Sequence, residues 1–457
     1  MSTAPVILAA GKGVRMCSSL PKVLHTVAGK TLVEYAVDLG RTVGDESPLV
    51  VIGHGAEAVR KVVGDTARVV MQADQKGTGH ALMQAEAVLH GNADRVLVWA
   101  ADMPLLSAKT LEAVVARQLE NDGPISLVTA VSDQKRGFGR LLRADDGTLQ
   151  AVVEQVDANE HQLSISDLNV GVYCFDADWL WPELSKLQVS ASGEYYLTDL
   201  VAAAVAQGRS VRDIVVDDPV EIIGINTRVH LAEAEAVLRE RINYGWMNKG
   251  VTVLDPDNTY IASSVRIGSD TIVLPNTYLY GETRVGSSCT IGPNSVVRDS
   301  VIADGCRVEC SVLEKATLEE GVDVGPFGHL REGSYLARGV HVGNFGEVKN
   351  SYLGPQVKMG HFSYVGDARV GARTNIGAGT ITCNYGADKN KHRTVIGEDV
   401  FIGSDTMMVA PICIGARSRT GAGSVVTKDV PADSTAVGVP ARIIKRGSAE
   451  GNQDDDD

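Results

Sequence analysis

The sequence predicts a mixed α/β chain: an N-terminal doubly wound α/β domain, a joining helix and a C-terminal parallel β-helix. Three observations carry this. From Ile261 to Val426 an aliphatic residue recurs every six places. Before residue 228, short apolar strands alternate with helical stretches. Between the two, Leu231, Ala234, Leu238 and Ile242 lie three, four and four apart, which is one face of a helix. At 457 residues the chain is also too long for a single core.

The six-residue register shows in Ile261, Ile267, Val273, Leu279, Val285 and Ile291. It returns in Leu318, Val324, Leu330, Leu336, Val342 and Val348, then in Leu353, Met359 and Val365, then in Ile396, Ile402, Met408 and Ile414. No helix has period six, and alternating strands do not need an apolar residue at every sixth place. A coil with three flat faces does, with one aliphatic per face pointing to the axis. Gly, which often follows the aliphatic residue, and Asn suit the corners because both tolerate positive φ. Each coil covers the next.

Composition agrees. Aromatics are only 5% and there are 48 glycines, which suits a coil filled by aliphatics with many corners. A net charge of −14 disfavours nonspecific nucleic-acid binding, so no nucleic-acid partner is expected. The seven cysteines include no C-x-x-C, and Cys306 and Cys310 lack a second pair, so reduced thiols in a cytoplasmic protein are expected. The opening apolar run Pro5–Ala10 reads as a strand, not a signal peptide. No window reaches the length of a membrane span. The closing stretch 447–457, with four terminal aspartates, reads as a disordered acidic tail.

In order, residues 4–11 form a buried strand ending in a glycine turn. Gly11 and Gly13 let backbone N–H groups approach a phosphate, and Arg15 and Lys22 add positive charge. A helix follows at Leu32–Leu39, then strands at Leu49–Gly53, Val69–Gln72 and Val96–Trp99. Helices at His80–Leu89 and Ala108–Leu119 lie between them. In such a sheet the ligand sits at the carboxyl ends of the strands. The glycine spacing is neither Walker A nor GxGxxG, which argues against hydride transfer.

The string LAAGKGVRM with Pro21-Lys22 resembles the sugar-1-phosphate nucleotidyltransferases. On that resemblance Leu8, Ala9, Ala10, Gly11 and Lys22 bind the nucleotide, and Gln72 with Gly77 and Thr78 in GTGHA reads the uracil base. Asp102 and Asn226, the latter in GINTR, are the implied Mg²⁺ ligands. Gly139 in GFGR, Glu154 in VVEQVDA and Asn169 in LNVGV contact the sugar. GEYYLTD, residues 193–199, is a further family string.

The repeat departs from register near Ala378–Thr394, in NIGAGTITCNYGADKNKHRT, and a loop leaving a regular solenoid is a candidate site element. Nearby stand HLREG, NFGEVKN and MGHFSYVGDA. With the N-terminal half, from about Pro5 to Arg446, this resembles the GlmU family of bifunctional N-acetylglucosamine-1-phosphate uridylyltransferases and glucosamine-1-phosphate acetyltransferases. The resemblance implies a Rossmann-like nucleotidyltransferase domain at 1–228, a linker helix at 229–249, and a left-handed hexapeptide β-helix at 250–446. It makes His361 the general base, imidazole being suited to proton transfer near neutral pH. Arg331, Lys349 and Lys391 hold the sugar phosphate, and Tyr364 and Asn375 place the sugar. Ala378, Asn384, Tyr385, Ser404 and Ala422 line the acetyl-CoA site, with Asn384 and Tyr385 also reaching the amine. Small-molecule substrates, Mg²⁺ and a homotrimer are implied.

The chain departs from the family pattern at Ala100 and Ala101, where Tyr-Gly is usual, at Val156 in place of Lys, and at Val170 in place of Thr. Three changes around one expected sugar pocket predict altered sugar preference or weakened uridylyl transfer. The ending GVPARIIKR leaves the arginine expected near CoA without a clear counterpart, although Arg442 is close. Two alternatives stay open: a nucleotidyltransferase of other sugar or nucleotide preference carrying the β-helix, and a non-catalytic assembly homologue.

Overall fold

The central strands of the first sheet, Thr3–Ala9, Leu49–Ile52 and Arg95–Ala100, are buried on both faces, as parallel strands covered by helices require. In the computed structural model, which describes residues 2–133 and 137–444, the chain divides into two units at Leu238/Arg239. The expected acidic tail and the last residues of GVPARIIKR lie outside the described residues.

The first unit holds a nine-stranded sheet. Its path runs Val211–Val215, Ile125–Val131, Asp167–Asp176, Arg95–Ala100, Thr3–Ala9, Leu49–Ile52, Arg68–Met71. All are parallel except Asp167–Asp176, which runs against both neighbours. A hairpin, Gly139–Arg143 with Leu149–Val153, joins at its side. Alternate residues of the central strands feed two cores. Ile7, Val50, Ile52, Leu97 and Trp99 pack with Val33, Val37 and Val59 on one side. Val6, Leu49, Val51, Val96 and Val98 pack with Leu82, Leu89 and Leu180 on the other. That is the doubly wound arrangement.

Two elements differ from expectation. The helix expected at Leu32–Leu39 starts at a Thr31–Glu34 capping box and runs on to Val43. It passes through Gly40 because the helix lies so close to the sheet that a Cβ there would be 2.9 Å from Pro48 and 3.2 Å from Trp99. The helix expected at His80–Leu89 is two, Thr78–Met83 and Glu86–Leu89. The Gln84 side-chain amide takes the His80 carbonyl at 3.0 Å, while the Gln84 backbone N–H donates to Ala81 instead, which ends the first helix. The helix Arg228–Met247 runs across the division between the units.

The second unit is a parallel β-helix of three sheets. The first face begins at Thr252–Val253, the second at Thr259–Ile261 and the third at Arg266–Ile267. Register is strict: Ile261 pairs with Leu279, Leu279 with Val297, and Leu330 with Val348. Every aliphatic residue in the six-residue runs is buried. The gaps between those runs have a structural cause. Val297 to Ile302, Val308 to Leu313, Leu313 to Leu318, Val348 to Leu353 and Val365 to Val370 are five apart, not six. Each short step turns through one left-handed residue: Asp299, Cys310, Lys315, Asn350 or Asp367, with φ from 44° to 49°. Its N–H donates to the coil before, as Asp367 does to Lys349 O at 3.0 Å. These bonds fix a conformation that Cys and Lys rarely adopt alone. The true insertion is narrower than expected. Ala378 lies on a regular corner, and the loop proper is Asn384–Arg393, closed by a Tyr385–Lys391 bridge.

Candidate active sites

Four strands of the first unit end along one edge: Thr3–Ala9, Leu49–Ile52, Arg68–Met71 and Arg95–Ala100. Beyond them lies a cavity of about 450 Å³, within the range of small-molecule sites. Leu8, Ala9, Ala10, Gly11 and Lys12 line it from the first strand; Gln72, Gln75, Gly77 and Thr78 line it from the third. Gly77 has φ +96°, and a Cβ there would sit 2.5 Å from Tyr195 O, so this turn needs glycine. A second cavity of about 180 Å³ is lined by Gly139, Glu154, Asn169, Val170, Tyr173, Thr198 and Asn226. Leu8, Thr78, Ala100 and Asp102 line both. The two are therefore one cleft with Asp102 at the junction.

Asp102 follows the strand end, and Ile225 N donates to its backbone oxygen at 2.8 Å, which brings Asn226 alongside. The Lys22 ammonium pairs with the Asp102 carboxylate and donates to Asn226 Oδ1 at 3.1 Å. Two oxygens thus converge on one cation, which acts as a stand-in ion; a carboxylate and an amide oxygen suit a hard divalent ion. Deeper in, Thr198 Oγ1 donates to Glu154 at 3.1 Å and Asn169 Nδ2 to Tyr173 OH at 2.6 Å. Burial pushes the Glu154 carboxyl above the ordinary range. The Thr198 bond opposes this, and Asp199, Asp157 and Glu194 reinforce it.

In the β-helix, His329, Glu347, Tyr364 and Ile381 stack on successive coils of the second face. Lys349 pairs with Gly366 in the same ladder, and Arg331 N donates to Val348 O at 2.8 Å, which puts Arg331 one coil before Lys349. Arg331 also donates to Glu347 at 2.9 Å. Lys391, at the base of the loop, and then Arg331 hold the Lys349 ammonium below the ordinary lysine range. Three cations therefore crowd one spot. Beside them Asn384 Nδ2 donates to Asp367 at 2.5 Å and lies 3.3 Å from Tyr364 OH. Asn350 Nδ2 donates to the other Asp367 oxygen at 2.6 Å.

His361, Ala378, Ser404 and Ala422 share the corner between the first and second faces. Coil-to-coil bonds stack that corner: Gly379 N to Phe362 O at 2.7 Å, Asp405 N to Ala378 O at 2.6 Å, Gly423 N to Ser404 O at 2.8 Å. The four form an open edge running along the coil.

The family model for the MobA-like NTP transferase domain matches residues 5–208, and that for the bacterial transferase hexapeptide (six repeats) matches 264–299 and 393–428. A protein of Heliobacterium modesticaldum called Bifunctional protein GlmU is 46% identical over 433 residues, 94% of each chain. Those of the same name from Trichlorobacter lovleyi and Streptococcus pyogenes serotype M12 are 43% and 42% identical over 97% and 98% of each chain. The chain belongs to the GlmU family. It is a bifunctional transferase with an NTP-transferase half and a left-handed hexapeptide β-helix.

Against the GlmU expectations, most named residues come together. Leu8, Ala9, Ala10, Gly11, Lys22, Gln72, Gly77, Thr78 and Asp102 line the larger cavity; Gly139, Glu154, Asn169 and Asn226 line the smaller. Arg15 lies on an exposed 3₁₀ turn, Val14–Met16, and lines neither. Asn375 pairs with Lys358 and Phe401 on the first face, whereas Tyr364, Arg331 and Lys349 stand on the second. Tyr385 is exposed on the loop, and Arg442 lies in the terminal hairpin opposite Val437. Of the departures, Ala100 and Val170 line the cleft and Ala101 is buried. Val156 is 78% exposed and lines neither cavity, so it does not belong with the other changes. Asp367, which orients Asn384, had no role assigned from sequence. It lies within MGHFSYVGDA, but nothing local marks a carboxylate that will meet two amides from other coils. No described helix is long and apolar enough to cross a membrane.

Proposed function

We propose that the β-helix acetylates glucosamine-1-phosphate with acetyl-CoA and that the N-terminal unit then joins UTP to the N-acetylated sugar phosphate, releasing pyrophosphate. The observation that carries this reading is the cation trio Arg331, Lys349 and Lys391 beside the Tyr364–Asn384 pair. It sets an anion subsite next to polar groups able to hold an amine, as an amino-sugar phosphate requires.

Asp367 and the Tyr364 hydroxyl take the Asn384 amide donors, which leaves its side-chain carbonyl oxygen for the substrate amine. His361 accepts the amine proton as the amine attacks the thioester carbonyl; the C–S bond breaks and CoA leaves as the thiol. Ser404, on the same edge, donates to the developing oxyanion, and Ala378 and Ala422 leave room for the pantetheine chain. Phe327, Phe345 and Phe362 crowd this corner of successive coils at 56, 59 and 57% exposure, and Phe327 stacks on Phe345 at 5.1 Å. That apolar edge supports a homotrimer in which a second copy covers it and closes the acetyl-CoA cleft.

In the N-terminal unit no protein nucleophile is needed, because the sugar phosphate is already an anion. Gln72, Gly77 and Thr78 hold the base, Lys12 and Lys22 meet the phosphates, and Glu154, Asn169 and Gly139 hold the sugar. Asp102 and Asn226 would hold Mg²⁺, which supplies charge neutralisation at the phosphate oxygens. Purified protein given glucosamine-1-phosphate, acetyl-CoA, UTP and Mg²⁺ tests the order. Thiol should appear without UTP, and pyrophosphate only after acetylation. Pyrophosphate formed equally well from glucose-1-phosphate would overturn the sugar assignment.

A further inference from the structure

Two oxygen donors and one ammonium meet at the junction of the two cavities. Lys22 donates to the Asp102 carboxylate and to Asn226 Oδ1 at 3.1 Å, and the Lys22 and Asp102 side chains are only 14% and 15% exposed. The stem of Lys22 is held in place. Its turn is closed by His25 N donating to Lys22 O at 3.2 Å, and Gly13 packs so closely that a Cβ would lie 2.6 Å from Lys22 Cβ. Asn226 is held from below by the bond from Ile225 N to Asp102 O. The oxygens are thus fixed by backbone, and the ammonium head is the part free to choose partners. Lys22 also lines the larger cavity, where a phosphate would offer it one.

A divalent ion and an ammonium cannot share two oxygens. The repulsion is strong at such range in a poorly hydrated site. Removing either cation alone leaves a shielded carboxylate unpaired, which is also costly. We propose that Lys22 is the resident cation of the Asp102–Asn226 pair in the nucleotide-free protein, and that a divalent ion enters only by exchange with it. The incoming triphosphate draws the ammonium away, so nucleotide and metal binding favour each other. Without substrate the site holds little metal. This inference rests on Asp102 and Asn226 being the metal ligands.

Mn²⁺ binding to the full-length, nucleotide-free protein tests it, read from the free-ion electron paramagnetic resonance signal. Lys22→Met should bind Mn²⁺ about tenfold or more tighter than wild type, and Lys22→Gln should move the same way. Lys12→Met removes a cation that lines the same cavity without touching Asp102, and should change affinity by less than about threefold. Asp102→Asn placed in the Lys22→Met protein should abolish the gain. If both Lys22 variants bind no tighter than wild type, or if Lys12→Met gains as much as Lys22→Met, the exchange is refuted while the ligand assignment survives. If Asp102→Asn leaves binding intact, the ligand assignment falls and takes the exchange with it.

Discussion

Glu154 shows how one residue is shaped by its pocket. Its carboxyl is largely enclosed, and burial, with Asp199, Asp157 and Glu194 nearby, favours the protonated form against the Thr198 bond. The folded-state pKa therefore lies above the unfolded one. The folded protein carries no penalty below the ordinary carboxylate range and loses stability as pH rises through the folded value. Glu154→Gln keeps an acceptor for Thr198 and removes the charge. It should raise Tm by roughly 2 °C at pH 8, with the difference closing near pH 4, in paired melting curves. The same pocket limits what sequence can tell. Glu154 and Asn169 were legible because their strings are specific. Lys12, Gln75, Glu194 and Tyr173 also line the cleft, yet no local feature of the chain marks them as lining residues until folding brings their segments together there.

At the scale of elements, the β-helix was almost wholly legible. One aliphatic per face is forced by the geometry, and the pattern survives in the burial of every repeat residue. The five-residue steps were not legible. They depend on left-handed residues such as Lys315 and Cys310, held by bonds to the preceding coil, and no local rule assigns those types there. The loop Asn384–Arg393 was visible as a loss of register, but its work was not. It is a hairpin whose Lys391 returns to Lys349 and whose Asn384 is clamped by Asp367. Lys391→Ala should therefore raise the KM for glucosamine-1-phosphate about tenfold, the loss of one charge-assisted bond, and leave the KM for acetyl-CoA within about twofold. Steady-state kinetics with each substrate varied separately would check this. Equal effects on both would mean that the loop is only scaffolding.

The whole molecule carries two sites built by different rules. In the first unit, strand ends and turns converge on a cleft, so the residues that line it are scattered from Leu8 to Asn226. In the second, residues one coil apart stack, so a site can be assembled along an edge. The chain order of motifs made both legible in outline, because short strings survive in sequence while distances do not. Each site draws its named groups from its own unit. The most direct measurement is thiol and pyrophosphate release, followed separately, in His361→Ala and Asp102→Asn proteins. His361→Ala should lose about 10²–10⁴-fold in thiol release, yet form pyrophosphate normally from N-acetylglucosamine-1-phosphate. Asp102→Asn should do the reverse. Loss of both activities in either variant, or thiol release untouched by His361→Ala, would contradict the account.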